Sequence, residues 1–188
     1  MANIILVTGT PGVGKSRLAE RLSRSQGYTL IELSELAKSE KLYDEFDRAR
    51  DTYIVNEPRL RRRIASFSHS EKIVLSTHLV GKFLPTKMVK LALVLRLDPL
   101  VLYRRLRRRG WTKWKAWENT EAEILGVSIF ESISLLGRRR VYEIDTTRKS
   151  AERVYREAVR ALSRPRTNKP GLVDWLALYD PIEMEKKL

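Results

Sequence analysis

The sequence contains no cysteine, which excludes disulfides, thiolate metal sites and cysteine nucleophiles and agrees with a reducing compartment. It also lacks any apolar run near the roughly 18 residues a membrane-spanning helix needs, although hydrophobic residues make up 43% of the 188. The stretch Met1 to Val7 has neither a basic region nor a small-residue cleavage site, so it reads as the entry to a structural element rather than a removable signal. The expectation is a cytoplasmic protein with no membrane segment. Internal repeats and low-complexity tracts are missing too. Acidic residues are in deficit, with 23 Asp and Glu against 37 Lys and Arg, for a formal charge of +14. That excess suits nucleotides, RNA or other polyanions as partners, and it equally suits a charge-rich, heat-adapted surface.

What the chain does have is an alternation of apolar runs and helical patterns. Asn3 to Thr8 (NIILVT) reads as a strand covered on both faces. Lys15 to Ser25 follows with Leu18, Ala19 and Leu22 at helical spacing and Gly27 as a stop signal. Tyr28 to Leu33 is a second strand candidate, and Ser34 to Lys41 a short helix before the acidic cluster Asp44, Glu45 and Asp47. Pro58 to Phe67 reads as a basic helix. Lys72 to Ser76 and Leu91 to Leu97 are buried-strand candidates, and Val141 to Asp145 is a weaker one. Strands separated by helices predict βαβ units, hence an α/β fold with a parallel sheet between helical layers. The length fits one domain, residues 1–188. From Arg164 onward Pro165, Pro170, Gly171 and Pro181 break the pattern into a short tail, 165–188, which Trp175 is expected to dock.

Gly9-Thr10-Pro11-Gly12-Val13-Gly14-Lys15-Ser16 matches G-x-x-x-x-G-K-[ST] without a mismatch, directly after a strand and opening a helix. Glycines let the backbone turn its N–H groups toward phosphate oxygens, and the helix adds its positive end. Lys15 should reach the outer phosphates, and the Ser16 hydroxyl should ligate Mg²⁺. The motif predicts nucleotide binding without stating what is done with the phosphate. Further on, Tyr103 to Trp111 carries Arg104, Arg105, Arg107, Arg108 and Arg109, followed by Lys113 and Lys115. Such cations fit a lid that neutralises a transferred phosphoryl group and excludes water. They fit a solvated helix face or an RNA-contacting patch as well.

Several further segments bring the chain close to a known family. They are Glu35-Leu36-Ala37-Lys38, Leu42 to Asp47, Val74-Leu75-Ser76-Thr77-His78, Leu95-Arg96-Leu97-Asp98, Arg109-Gly110-Trp111 with Lys115, Glu118-Asn119, Glu121 to Ile124, and Glu143 to Thr147. In order and spacing, together with the glycine loop, the chain resembles the adenylate kinase isoenzyme 6 type over nearly its whole length. The resemblance implies a P-loop NTPase sandwich of the nucleoside-monophosphate-kinase kind, three-layered, with a central parallel five-stranded sheet. It implies an ATP site from Gly12, Val13, Gly14, Lys15, Ser16 and Arg17, with Arg109 from a lid at about 108–118 and Lys149 near the adenine. AMP would lie along a segment at about 30–53, with Lys38, Asp44 and Asp47 as its contacts. Lys15, Arg109 and His78 would be the catalytic set, and Mg²⁺ would sit on Ser16.

The family implies ATP + AMP ⇌ 2 ADP, an accompanying ATPase activity in small-subunit rRNA maturation, and a uS11-type ribosomal protein as partner. The chain departs from its pattern in two ways. Ser76 and Thr77 stand where an acidic residue often supports the metal, leaving Asp44, Asp47 and Asp98 as substitutes, and Arg17 replaces a second hydroxyl residue. Three competing readings are an assembly ATPase with little kinase turnover, a shikimate-type small-molecule kinase, and an RNA-binding module. The last lacks a recognition signature with interleaved aromatics, although Trp111, Trp114 and Trp117 lie among basic residues.

Overall fold

The computed structural model describes residues 3–48, 52–67, 71–163 and 170–188. Residues 49–51 of the expected monophosphate segment, and Pro165 of the expected tail, lie outside these. Five strands form the central sheet: β1 (Ile4–Thr8), β2 (Thr29–Glu32), β5 (Ile73–Ser76), β6 (Val89–Arg96) and β7 (Val141–Asp145). Their order is β2-β5-β1-β6-β7, and every pairing is parallel. The α/β sandwich expected from the alternating pattern, with its five parallel strands, is therefore the fold.

Burial explains the strand composition. All five residues of β1 and all four of β5 are buried, as is β6 apart from Lys90, so these strands are apolar on both faces rather than alternating. Ile5, Val7 and Val74 face one helical layer, built from α1 (Lys15–Gln26), α4 (Pro99–Arg108), α5 (Lys113–Ile124) and α7 (Ala151–Ser163). Ile4, Leu6, Ile73 and Leu75 face the other, built from α2 (Leu33–Ser39), α3 (Glu57–Ala65) and α6 (Val127–Leu136). Val154, Ala158 and Ala161 form the buried stripe of α7 at helical spacing. Asn56 and Asp98 cap α3 and α4 by accepting the N–H groups of Arg59 and Val101, and a proline stands in the first turn of each helix.

The sequence reading placed no strand between Lys41 and Pro58. Tyr43–Asp47 (β3) pairs antiparallel with Thr52–Val55 (β4), outside the main sheet. The hairpin is held by rings: Tyr53 lies 4.4 Å from Tyr43 and 4.9 Å from Phe46, centroid to centroid. Beyond α7, Trp175 is buried against the first helical layer and Asp180 caps α8 (Pro181–Lys187).

β1 lies at the centre of the sheet. The chain leaves it in one direction for β2 and β5, then crosses back to β6 and β7. The loop after β1 consequently opens at the switch point of the sheet, at the carboxyl ends of the strands, where ligands of open α/β sheets collect.

Candidate phosphate-binding site

Gly9, Gly12 and Gly14 all have positive φ, between 98° and 136°. Space matters at two of them. A Cβ on Gly9 would come within 2.4 Å of the Leu95 carbonyl oxygen, and one on Gly12 would meet Leu102 and Leu106 of α4 at 2.9 Å. The loop is thus pressed against both β6 and α4, which only glycine permits. α1 starts at Lys15 with no side-chain cap and no acidic residue in its first turn, so its opening N–H groups and positive end are left for an anion.

Lys15 donates to the Thr10 carbonyl at 3.2 Å. Its pKa falls to about 8, chiefly through burial, with Glu32 and Glu123 opposing the shift and Arg109 adding to it. Arg109 closes α4 and is exposed. One turn earlier, Arg105 donates to the Gly12 carbonyl at 2.7 Å, so α4 is tied to the loop by a cation as well as by packing. His78, just past β5, is open to a cleft yet crowded by protein on its other sides; that crowding and the charge of Lys15 lower its pKa to about 4. It is a neutral imidazole at pH 7.

Two cavities open near the carboxyl ends of the strands. A smaller one, about 130 Å³, is lined by Val13, Gly14, Arg17, Arg105, Thr146 and Lys149. The larger, about 730 Å³, is lined by α2, the β3–β4 hairpin and the residues after β5, with Lys38, Tyr53, Glu57, Thr77 and His78 among its walls. The expected residues fall unevenly around them. Val13, Gly14, Arg17 and Lys149 line the small cavity, and Lys149 pairs with Glu157 at 2.8 Å. Ser16 is exposed at the start of α1. Lys38 lines the large cavity and lies 5.4 Å from the Tyr53 ring centre. Asp44 is exposed and accepts a hydrogen bond from Asn56 at 2.6 Å, and Asp47 is half-buried on β3.

Beneath the loop lies a buried ionic network. Arg96 on β6 pairs with Glu123 of α5 at 2.7 Å and with Glu143 of β7 at 2.9 Å, all three nearly inaccessible. Glu123 also accepts from Thr10 of the loop at 2.5 Å, from the Leu97 N–H at 3.1 Å and from the Trp175 indole at 3.3 Å. Burial raises the Glu123 pKa, against the pull of Arg96 and these hydrogen bonds. Glu143 accepts the N–H groups of Gly171 and Leu172. Loop, sheet, α5 and tail thus share one satisfied set of charges, the condition under which buried ions are tolerated.

Sequence reasoning placed Arg105 only among the cations of a lid and assigned no individual role to Glu32 or Glu123. Arg105 carried a signal, since it stands four residues before Arg109 and so on the same helix face. Glu123 lay in the segment Glu121 to Ile124 that carries the resemblance, but its partners are remote in the chain and gave no local signal of its role.

Residues 5–126 match the model of a family described as AAA domain. Over 185 residues the chain is 36% identical to a protein of Methanocaldococcus jannaschii named "Putative adenylate kinase", covering 97% of this chain and 99% of that one. A relative of the same name from Saccharolobus islandicus is 39% identical over 154 residues, 80% of this chain and 79% of the other. The chain belongs to this family of P-loop proteins. Among solved structures, shikimate kinase from Bacteroides thetaiotaomicron superposes with a TM-score of 0.57 at 19% identity, over 85% of this chain and 98% of that one. At that identity the match speaks for the family's fold alone.

Proposed function

We propose that the chain is an adenylate kinase that moves the γ-phosphoryl group of Mg-ATP to AMP, giving two ADP. One arrangement carries the reading: a small cavity on the phosphate loop and a larger cleft past the end of β5, linked by the charge of Lys15. Gly14 lines the small one, His78 lines the large one, and the charge of Lys15 acts on His78. ATP enters the small cavity, with Lys149 and Arg17 by the nucleoside end. The monophosphate enters the cleft of α2 and the hairpin, the segment at about 30–53, with Lys38 and Tyr53 beside it. Asp44 and Asp47 act at the edge of that cleft.

Lys15, Arg109 and Arg105 neutralise the charge spread over the transferred group. Because phosphoryl transfer needs little covalent help, this positioning supplies most of the catalysis. The arginines of the segment at about 108–118 complete the site when nucleotide draws them in. His78, neutral at pH 7, accepts or donates a hydrogen bond at the acceptor side rather than adding positive charge.

Mg²⁺ suits the donors present. Ser16 offers a hydroxyl at the loop, and the buried Ser76 hydroxyl has no hydrogen-bond partner. When bound, the ion withdraws charge from the β- and γ-oxygens.

The finer reading of the resemblance, an ATPase acting in small-subunit maturation with a uS11-type ribosomal protein and rRNA as partners, draws support from the net charge of +14 and uses the same loop. The experiment that separates these is ADP formation from Mg-ATP with and without AMP, CMP, UMP, GMP or shikimate, in the parent and in Lys15→Ala and Arg109→Ala. AMP-dependent ADP that both substitutions abolish is the expected result. A slow rate indifferent to every acceptor would sink the kinase and leave the ATPase, while a response to shikimate would reassign the cleft.

A further inference from the structure

The carboxylates first considered for the metal are engaged elsewhere. Asp98 caps α4 with one oxygen and takes the Tyr179 hydroxyl on the other at 2.6 Å. Asp44 is held by Asn56, and Asp47 stands on the separate hairpin. Glu123 and Glu143 spend their oxygens in the buried network. Glu32, whose charge reaches Lys15 of the loop, is not engaged in this way among the described residues.

Glu32 ends β2, directly opposite Ser76 at the end of β5. Side chains alternate along strands. Leu30 and Val74, two residues earlier on each strand, pack in the layer that contains α1, so Glu32 and Ser76 project to that same face. They do so at the strand ends where Lys15 and Ser16 open α1. Ser76 is 1% exposed and its hydroxyl, like that of Thr8 at the end of β1, has no hydrogen-bond partner among the described residues, a state in a native interior that calls for a ligand. Glu32 makes no hydrogen bond or ion pair among the described residues, and its charge reaches Lys15. It also occupies the N-cap position of α2 without capping it, where Ser, Thr, Asp or Asn would accept the helix's first N–H groups. A residue that breaks the local rule is the kind a site retains for its chemistry.

We infer that Glu32 is the carboxylate that holds the nucleotide's Mg²⁺ from the protein side, with the Ser76 hydroxyl beside it. Mg²⁺ keeps several waters and takes one or two carboxylates plus phosphate oxygens, so a carboxylate at the end of β2 and a hydroxyl at the end of β5 share the support of its hydration shell. The inference rests on the reading that the loop binds Mg-ATP, and it is independent of the acceptor.

The test is Mn²⁺ binding followed by electron paramagnetic resonance, with β,γ-imido-ATP present, in the parent, Glu32→Gln and the Glu32→Gln/Ser76→Asp double variant. Glu32→Gln should lose about tenfold or more in Mn²⁺ affinity. Its affinity for the analogue in EDTA should hold or tighten, because a negative charge has left the surroundings of Lys15. The double variant should regain Mn²⁺ affinity, which a merely misfolded site could not. If Glu32→Gln binds Mn²⁺ within about twofold of the parent, or if the double variant stays as weak as the single one, the assignment is wrong. Failure of AMP to stimulate ADP formation would overturn the kinase reading without touching this result.

Discussion

Lys15 and His78 share a patch whose ionisation differs from that of the free side chains, and this sets the pH behaviour of the site. With its pKa near 8, Lys15 loses its proton in the unliganded protein at mildly alkaline pH. Bound phosphates raise that pKa again, so ATP binding should take up a proton just above pH 8, and affinity should fall as pH rises further. Calorimetry in buffers of different ionisation enthalpy measures the uptake directly. The stability sign runs the other way: between about 8 and the ordinary value of 10.5 the unfolded chain binds more protons than the fold, so this group makes the empty protein more stable as pH rises.

His78 titrates near 4 instead of 6.5. Below about 6.5 the unfolded chain therefore gains a proton that the fold refuses, and stability should drop as pH falls toward 4. Proton NMR of the His78 ring should show the low pKa, and Lys15→Met should raise it by removing a neighbouring charge.

At the scale of elements, the question is what keeps the loop in place. α4 packs Leu102 and Leu106 onto Gly12 while Arg105 holds the Gly12 carbonyl. Gly12→Val should therefore push α4 away from the loop, and equilibrium dialysis should show ATP binding lost while circular dichroism stays near native. From below, α5 holds Thr10 through Glu123. Glu123→Ala would leave Arg96 facing Glu143 alone and strand the Thr10 hydroxyl, at a cost of about 3–5 kcal/mol in urea unfolding. Trp175→Phe keeps the ring buried and removes only the indole N–H to Glu123, so a loss of about 1 kcal/mol is expected.

Across the whole molecule the charge of +14 matters most for encounter. Arg17 and Arg21 of α1 and Arg105 of α4 line the small cavity, and a net positive field draws in a tetra-anionic nucleotide. Screening lengths shrink from about 10 Å at 0.1 M salt to about 3 Å at 1 M, so the association rate of a fluorescent ATP analogue in stopped flow should fall steeply over that range. Dissociation, set by contacts inside the loop, should change less. No helix among the described residues is long and apolar enough to cross a membrane.

The strands and the loop were legible because each rests on local chemistry. β1, β5 and β6 announce themselves as short apolar runs, since strands buried on both faces need no polar alternation, and the glycine loop carries its spacing because backbone N–H groups must converge on phosphate. Membership of the family followed from the same segments. The β3–β4 hairpin was not legible: Tyr43 to Asp47 has no period of two, because most of the strand faces solvent and its hold is the ring of Tyr53, contributed from the partner strand.

The contacts of Arg105 and Glu123, and the setting of Glu32 on which its proposed role rests, were decided by tertiary structure. Each depends on a partner far along the chain: Glu32 on Ser76 across a sheet pairing, Arg105 on the Gly12 carbonyl, and Glu123 on Thr10, Arg96 and Trp175 together. Residue types and spacing carry local preferences. Which charges meet, and which are left without a partner, is settled only when the strands pair and the helices close over them.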